Sequence, residues 1–374
     1  MRARGEPEVN GVGVRSEAAR KGAAGARAGA AWLLLALCLC CASAAGRTGG
    51  QASESPAKTS LVDLPAARLR SGESIAVVVG IPPQAGIVRA IGGERVRVDV
   101  LVQPGQEPHT FEASPRQIAA LLSAKIYFRI GLPFEDALLA KIGSSPSPAI
   151  VDMGRGAQRL RIEDAHPQAD EEEHATGTAG PGQARAPERE PRAKGAAQAH
   201  ESELDPHLWL SPRLLPLLAQ HACEALQSLD PGGAEFYAAN LATFVSRLQQ
   251  ADARAAQALA PYRGRAFFVY HPAFGYFAEA YGLRQVAVEH GGKEPSPKRL
   301  AAFLQQARAA NARTIFVQPQ FDRRAAETMA QAIGGTIATL DDLAEDPLAN
   351  LEAMAARIVA SFEEGERETD RSAE

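Results

Sequence analysis

Cysteine is scarce in this chain of 374 residues, and three of the four cysteines lie between residues 38 and 41. If that segment is removed on maturation, Cys223 is left alone and no intrachain disulfide can form. The net charge is only −4 and no large basic block lies in the part expected to fold, which argues against nucleic acid as a partner. The apolar run at residues 30–41 is shorter than the roughly 20 residues of a membrane-spanning helix.

Familiar catalytic motifs are also missing. The sequence contains neither a His-Glu-x-x-His helix nor a nucleophile elbow. The glycines at 11 and 13 lack the strand and helix that a phosphate-binding loop requires. The chain is 45% apolar and 22% charged, which is ordinary globular usage. These observations favour a binding protein over an enzyme.

The first 45 residues are predicted to be a secretory signal peptide. A basic stretch precedes the apolar run, and the small residues Ala42 to Ala45 follow it. A membrane anchor and a lipid on Cys40 or Cys41 are the alternatives, but neither cysteine follows the small residue that lipoprotein processing usually requires. We therefore expect soluble export to the periplasm, with residues 46–73 as a flexible tail rich in Ala, Gly and Ser.

Alternation of strands and helices predicts an α/β fold. Strands are predicted at 74–80, 95–102, 125–130, 266–270, 314–317 and 335–340. Helices are predicted at 85–91, after Ser114-Pro115, and after Ser296-Pro297, since proline is favourable at the first helical position. The second half repeats the pattern of the first, so we expect two α/β lobes with parallel sheets.

Apolar residues spaced by three, four and seven mark one long helix between these lobes, over residues 234–259. The predicted boundaries are 74–231 for the N-terminal lobe, 232–262 for the linking helix and 263–365 for the C-terminal lobe. Such a helix would be roughly 40 Å long, and we expect it to limit lobe motion to small shifts. Residues 163–204, rich in Ala, Gly, Pro and acidic residues with His166, His174 and His200, are predicted to be a disordered acidic insert.

Four segments place a metal-capable side chain at a junction between a strand or helix and a loop. They contain His109, His207, His271 and Asp341. Each histidine is next to a proline, which stiffens the backbone, and the edges where parallel strands end are where α/β lobes present ligand groups. A cleft site would take His109 and His207 from one lobe and His271 and Asp341 from the other. Each residue also has an ordinary reading, as a hydrogen-bonded histidine or, for Asp341, a helix cap. His221 and His290 lack comparable support.

The order and spacing of these segments resemble the metal-binding solute-binding proteins of ABC importers, the cluster A-I, ZnuA/TroA-type family. The resemblance runs from about residue 74 to 365 and is carried by Ile81-Pro-Pro83, Gly92-Gly93, His109-Thr-Phe-Glu-Ala-Ser-Pro115, Asp205-Pro-His-Leu-Trp-Leu210, His271-Pro-Ala-Phe-Gly-Tyr-Phe277, Glu294-Pro-Ser-Pro297, Pro319-Gln-Phe321 and Leu340-Asp341. It implies two α/β lobes joined by one long helix, with His109, His207, His271 and Asp341 as metal ligands in the interlobe cleft.

The resemblance also implies a periplasmic protein that captures Zn²⁺ as its transported ligand and delivers it to an ABC permease in the inner membrane. Three imidazoles favour zinc over manganese, and relatives that prefer manganese often have glutamate at the position of His271. We expect a monomer. The alternatives are a manganese- or iron-binding member of the family, a surface adhesin, and a zinc hydrolase with Asp341 or Glu107 as base. A role for the insert in gathering metal and a role as plain spacer remain open.

Overall fold

The computed structural model describes residues 73–143, 145–162, 204–289 and 295–373. The predicted signal peptide, almost all of the predicted tail and insert, and His290 therefore lie outside the described residues. Among the described helices, none is both long enough and apolar enough to cross a membrane.

The first lobe is built on a parallel sheet of four strands in the order β2-β1-β3-β4. The strands are β1 (Ile75–Val79), β2 (Val96–Val100), β3 (Ile126–Arg129) and β4 (Ala149–Asp152). The central strand β1 is almost wholly buried, as expected for a β-branched run covered on both faces of a parallel sheet.

The second lobe repeats this topology in the order β6-β5-β7-β8, again all parallel. Its strands are β5 (Ala266–Val269), β6 (Arg284–Ala287), β7 (Thr314–Val317) and β8 (Thr336–Thr339). The prediction of two parallel α/β lobes is confirmed.

Nine α-helices cover the two sheets within the described residues. They are α1 (Pro82–Gly92), α2 (Pro115–Ser123), α3 (Pro133–Ile142), α4 (Leu215–Leu229), α5 (Ala234–Leu259), α6 (Gly275–Tyr281), α7 (Pro297–Ala309), α8 (Arg323–Ala332) and α9 (Pro347–Ala373). Ser114 and Ser296 cap α2 and α7 as predicted, each accepting a hydrogen bond from the backbone N–H three residues on. Helix α1 starts three residues earlier than predicted, because Pro82 and Pro83 occupy its first turn instead of ending the strand.

Helix α5 occupies the residues predicted for the long helix, and its apolar stripe, including Tyr237, Phe244 and Leu248, is buried. Helix α9 packs against helix α5. One hydrophobic core runs through both lobes, from β1 in the first to Phe267 and Phe316 in the second. The lobes are thus packed against each other over apolar surface as well as joined by a helix.

Candidate metal centre

Three histidines from distant parts of the chain come together between the two sheets. One ligand nitrogen from each of His109, His207 and His271 lies within 4.8 Å of the others. The ring centroids are 5.0 to 5.6 Å apart, and the Nε2 atoms of His207 and His271 are 3.4 Å apart. The fold therefore brings the three predicted histidines to one point.

His271 is positioned by the carboxyl edge of the second sheet. It comes two residues after β5, and its backbone exchanges hydrogen bonds with the side chain of Gln318, which directly follows β7. Its Nδ1 is hydrogen-bonded to Glu289, which follows β6, and its ring stacks on Phe321 at a centroid distance of 5.1 Å. These contacts direct Nε2 toward the other histidines.

His207 is held by the aspartate two residues before it. Asp205 Oδ1 accepts from the backbone N–H of His207 at 2.9 Å and lies 2.7 Å from its Nδ1. Asp205 Oδ2 is buried and has no hydrogen-bond partner among the described residues. A hydrogen bond from Nδ1 to a carboxylate fixes the tautomer that leaves Nε2 free to bind a metal. His207 and His271 share this arrangement.

His109 is presented differently. It lies on a one-turn 3₁₀ helix, Pro108–Thr110, whose preceding residue, Glu107, caps the turn by accepting from the backbone N–H groups of His109 and Thr110 at 2.8 Å each. The ring is partly buried, and no hydrogen bond to either ring nitrogen is found among the described residues. Because both Glu107 oxygens serve as this cap, Glu107 is poorly placed to act as a catalytic base.

The fourth predicted ligand is not part of this cluster. Asp341 follows β8, but its Oδ1 accepts from the N–H of Leu343 at 2.9 Å, an Asx-type turn that uses the carboxylate locally. The neighbouring Asp342 is buried and interacts electrostatically with His271 and His207, but it does not belong to the 4.8 Å group of histidine nitrogens either. Gln320 donates to Asp342 Oδ1 at 2.9 Å. Two adjacent aspartates could not be told apart from their position after the strand.

Electrostatics differ between the histidines. Burial lowers the pKa of His109 to about 3, with smaller contributions from His207 and His271, so this ring is neutral at physiological pH. Burial also lowers the pKa of His207, but the charge and hydrogen bond of Asp205 outweigh it and leave the pKa above its ordinary value. Burial raises the pKa of Asp342.

The donor set fits a borderline divalent cation. Imidazole nitrogen suits zinc, whereas manganese and magnesium favour oxygen. Three carboxylates, Asp205, Glu289 and Asp342, are each at most 4% exposed around the rings. Their buried negative charge, and the unpartnered Oδ2 of Asp205, would be balanced by a cation bound among the imidazoles.

Sequence reasoning missed Glu289, Asp342 and the role of Asp205. Asp205 is two residues before His207 in the same segment, and Glu289 follows a short strand-like run, which is the kind of position that identified His271 and Asp341. His221, which was not expected to be a ligand, is buried with its Nδ1 2.7 Å from the Met153 carbonyl oxygen. It is a hydrogen-bonded core residue.

Fold and site together are those of a two-lobed solute-binding protein with a crevice for a cation. The family model described as "Zinc-uptake complex component A periplasmic" (ZnuA) matches residues 77–364, and the chain belongs to this family. It is a family of solute-binding proteins that act in transport.

Three relatives illustrate the match. The zinc-binding protein AdcA of Streptococcus pyogenes serotype M3 is 27% identical over 273 residues, which cover 72% of this chain and 50% of AdcA. The high-affinity zinc uptake system protein ZnuA of Yersinia pestis is 27% identical over 277 residues, 72% of this chain and 83% of that protein. A crystal structure of a 138–173 deletion mutant of ZnuA with zinc bound is 33% identical, has a TM-score of 0.64, and corresponds to 78% of this chain and 98% of that one. The chain spans about half the length of the AdcA relative.

Proposed function

We propose that this protein captures Zn²⁺ in the crevice between its lobes and delivers it to the permease of an ABC importer in the inner membrane. The observation that carries the proposal is the convergence of three imidazoles whose ligand nitrogens lie within 4.8 Å of one another. Two of the rings have the opposite nitrogen bound by a buried carboxylate, the arrangement typical of metal-ligating histidines.

Zinc is the cargo that the donor atoms favour, and family membership and the names of the relatives support the same choice. The protein acts as a periplasmic monomer after removal of residues 1–45. Its ligands are His109, His207, His271 and one aspartate. Neither Asp341 nor Asp342 lies within the group formed by the three histidine nitrogens. We favour Asp342 because its side chain is buried and interacts electrostatically with His271 and His207, whereas Asp341 Oδ1 accepts from the N–H of Leu343 in its own turn.

The direct test is metal binding by the purified mature chain. Titration against a chromophoric chelator should show one tight Zn²⁺ site and much weaker Mn²⁺ binding. X-ray absorption of the zinc form should give three nitrogen neighbours at about 2.0–2.1 Å. Oxygen-only coordination, or the same affinity for both metals, would reject the zinc proposal.

The two aspartates are distinguished by paired substitutions. Asp342→Asn should weaken zinc binding more than Asp341→Asn, because only the first removes a charge buried beside the imidazoles. The opposite order would assign the fourth position to Asp341.

Stimulation of ATP hydrolysis by the reconstituted importer then tests delivery of the metal. Hydrolysis of esters or amides by the zinc form would instead support an enzyme.

The affinity should also depend on pH. Zinc and a proton compete for Nε2 of His207, whose pKa lies above its ordinary value of 6.5. Zinc affinity should therefore fall as the pH falls from about 8 to 5. His109, with a pKa near 3, adds no proton competition in that range. Constant affinity from pH 8 to 5 would contradict ligation by His207.

A further inference from the structure

The segment that carries His207 is attached to the second lobe on both sides of the histidine. On one side, the hydroxyl of Tyr276 in α6 donates to the carbonyl oxygen of Asp205 at 2.9 Å. On the other side, the indole N–H of Trp209 donates to the carbonyl oxygen of Asp342 at 2.6 Å. Tyr276 and Trp209 are each only 2% exposed. These two hydrogen bonds bracket His207 within five residues.

By chain connectivity the same segment belongs to the first lobe. It leads into α4, which packs on α1 and β4. Its N-terminal end also pairs with residues 160 and 161 of the first lobe. The Asp205 N–H donates to the Leu160 carbonyl oxygen at 2.8 Å, and Arg161 forms a β-bridge with Leu204. The Tyr276 hydroxyl accepts from the Leu160 N–H at 3.0 Å. One hydroxyl from the second lobe thus contacts both strands of this junction.

The three histidines are therefore attached unequally to the two lobes. His207 and His271 are both fastened to the second lobe, and their Nε2 atoms already lie 3.4 Å apart. His109 belongs to the first lobe alone, and within the described part of the chain its ring is held by no hydrogen bond. His207 was expected to come from the first lobe, and its segment does belong there by chain connectivity, but that segment is also hydrogen-bonded to the second lobe.

We propose, resting on the zinc-binding function above, that Tyr276 and Trp209 are positioning residues that hold His207 and His271 in their ligating orientation before metal binds, whereas the ring of His109, although equally close, is fixed in orientation only by the metal. Neither residue touches the metal in this proposal. Each acts on affinity through the backbone on either side of His207. Tyr276 gives the clearer test, because Tyr276→Phe removes only the hydroxyl and keeps the aromatic ring that packs in the core.

The experiment compares two tyrosines on the same helix. Tyr276→Phe should weaken zinc binding about tenfold, the lower end of the 10–100-fold range for outer-shell partners of metal ligands, mainly through faster zinc dissociation. Tyr281→Phe is the matched control, since its buried hydroxyl donates to Asp252 at 2.8 Å, away from the histidines. It should change zinc affinity by less than about twofold, as expected for a site without shared partners.

A double-mutant cycle separates positioning from general destabilisation. In a His207→Ala background the effect of Tyr276→Phe on the remaining zinc affinity should disappear, and in a His109→Ala background it should persist. Equal losses for Tyr276→Phe and Tyr281→Phe, or a loss that persists without His207, would overturn the proposal. Failure of the unmodified chain to bind zinc would instead reject the function on which it rests.

Hydrogen exchange on the unmodified chain provides a test that needs no variant. Peptides covering residues 204–210 should be protected without metal and change little on adding Zn²⁺. Peptides covering 103–112 should gain protection, because the ring of His109 is fixed only when it binds the metal. A gain confined to 204–210 would mean that His207, not His109, is the ligand ordered by the metal.

Discussion

The two lobes share one topology but hold their histidines in different ways. In the second lobe, His271 follows the central strand β5 almost directly and is fixed by Glu289, Gln318 and Phe321. In the first lobe, His109 is nine residues beyond the edge strand β2, on a short turn capped through its backbone. The same strand order thus supports one rigidly oriented ring and one that is placed only by its main chain.

This difference indicates that topology and orientation have separate causes. The carboxyl edge of each parallel sheet brings a histidine to the crevice, so two lobes of the same design suffice to bring the imidazoles close. The orientation of each ring depends on a partner for its second nitrogen. Within the described ranges, only the rings of His207 and His271 have a carboxylate there. The comparison can be tested by removing these features one at a time.

The largest effect is expected from the histidines themselves. His271→Ala should lower zinc affinity by more than about 100-fold, beyond the usual range for outer-shell partners, because it removes a ligand and leaves the buried Glu289 without its ring. His109→Ala should cost distinctly less, since water can take the place of a partly exposed ring. Chelator competition measures both losses, and identical values would mean that the lobes contribute alike.

The next effect concerns the carboxylates behind the rings. Glu289→Gln and Asp205→Asn should each weaken zinc binding about 10–100-fold, because the neutral amide no longer raises the basicity of the imidazole. Glu352→Gln, which alters only an exposed contact with Arg254, is a suitable control and should leave the affinity unchanged. Losses equal to that control would show that the carboxylates do not tune the site.

A smaller effect, on stability, should follow from placing an extra carbon atom in the tight contact between the lobes. A Cβ at Gly86 in α1 would lie 1.8 Å from the backbone oxygen of Glu345 in the second lobe. Gly86→Ala should therefore lower the free energy of unfolding by about 1–3 kcal/mol. This cost exceeds the stabilisation that alanine gives over glycine inside a helix. Urea unfolding of the metal-free chain measures this. Gly232→Ala, whose Cβ would have no neighbour closer than 3.4 Å, should have little effect, and equal stabilities would show that the lobes separate easily at this contact.

The smallest effect is expected from shortening the predicted insert. Replacing residues 163–203 by a short linker should change zinc affinity by less than about threefold, since closure free energy varies slowly with loop length. The chain on either side is already joined by the hydrogen bond between Leu160 and Asp205. A large loss of affinity here would give the insert a direct part in binding.

The sequence by itself determined the repeated α/β pattern, the long helix and the places where three histidines follow structural elements, because these depend on local periodicity and on turn residues. Tertiary structure alone decided which side chains face one another. Glu289 meets His271 across 18 residues of chain, and the indole of Trp209 meets the carbonyl oxygen of Asp342 across 133. The choice between Asp341 and Asp342 depends on burial and on a local hydrogen bond, neither of which leaves a pattern in the order of residues. A side chain's direction is decided by the neighbours that pack around it, and in these two contacts the neighbours are 18 and 133 residues away along the chain.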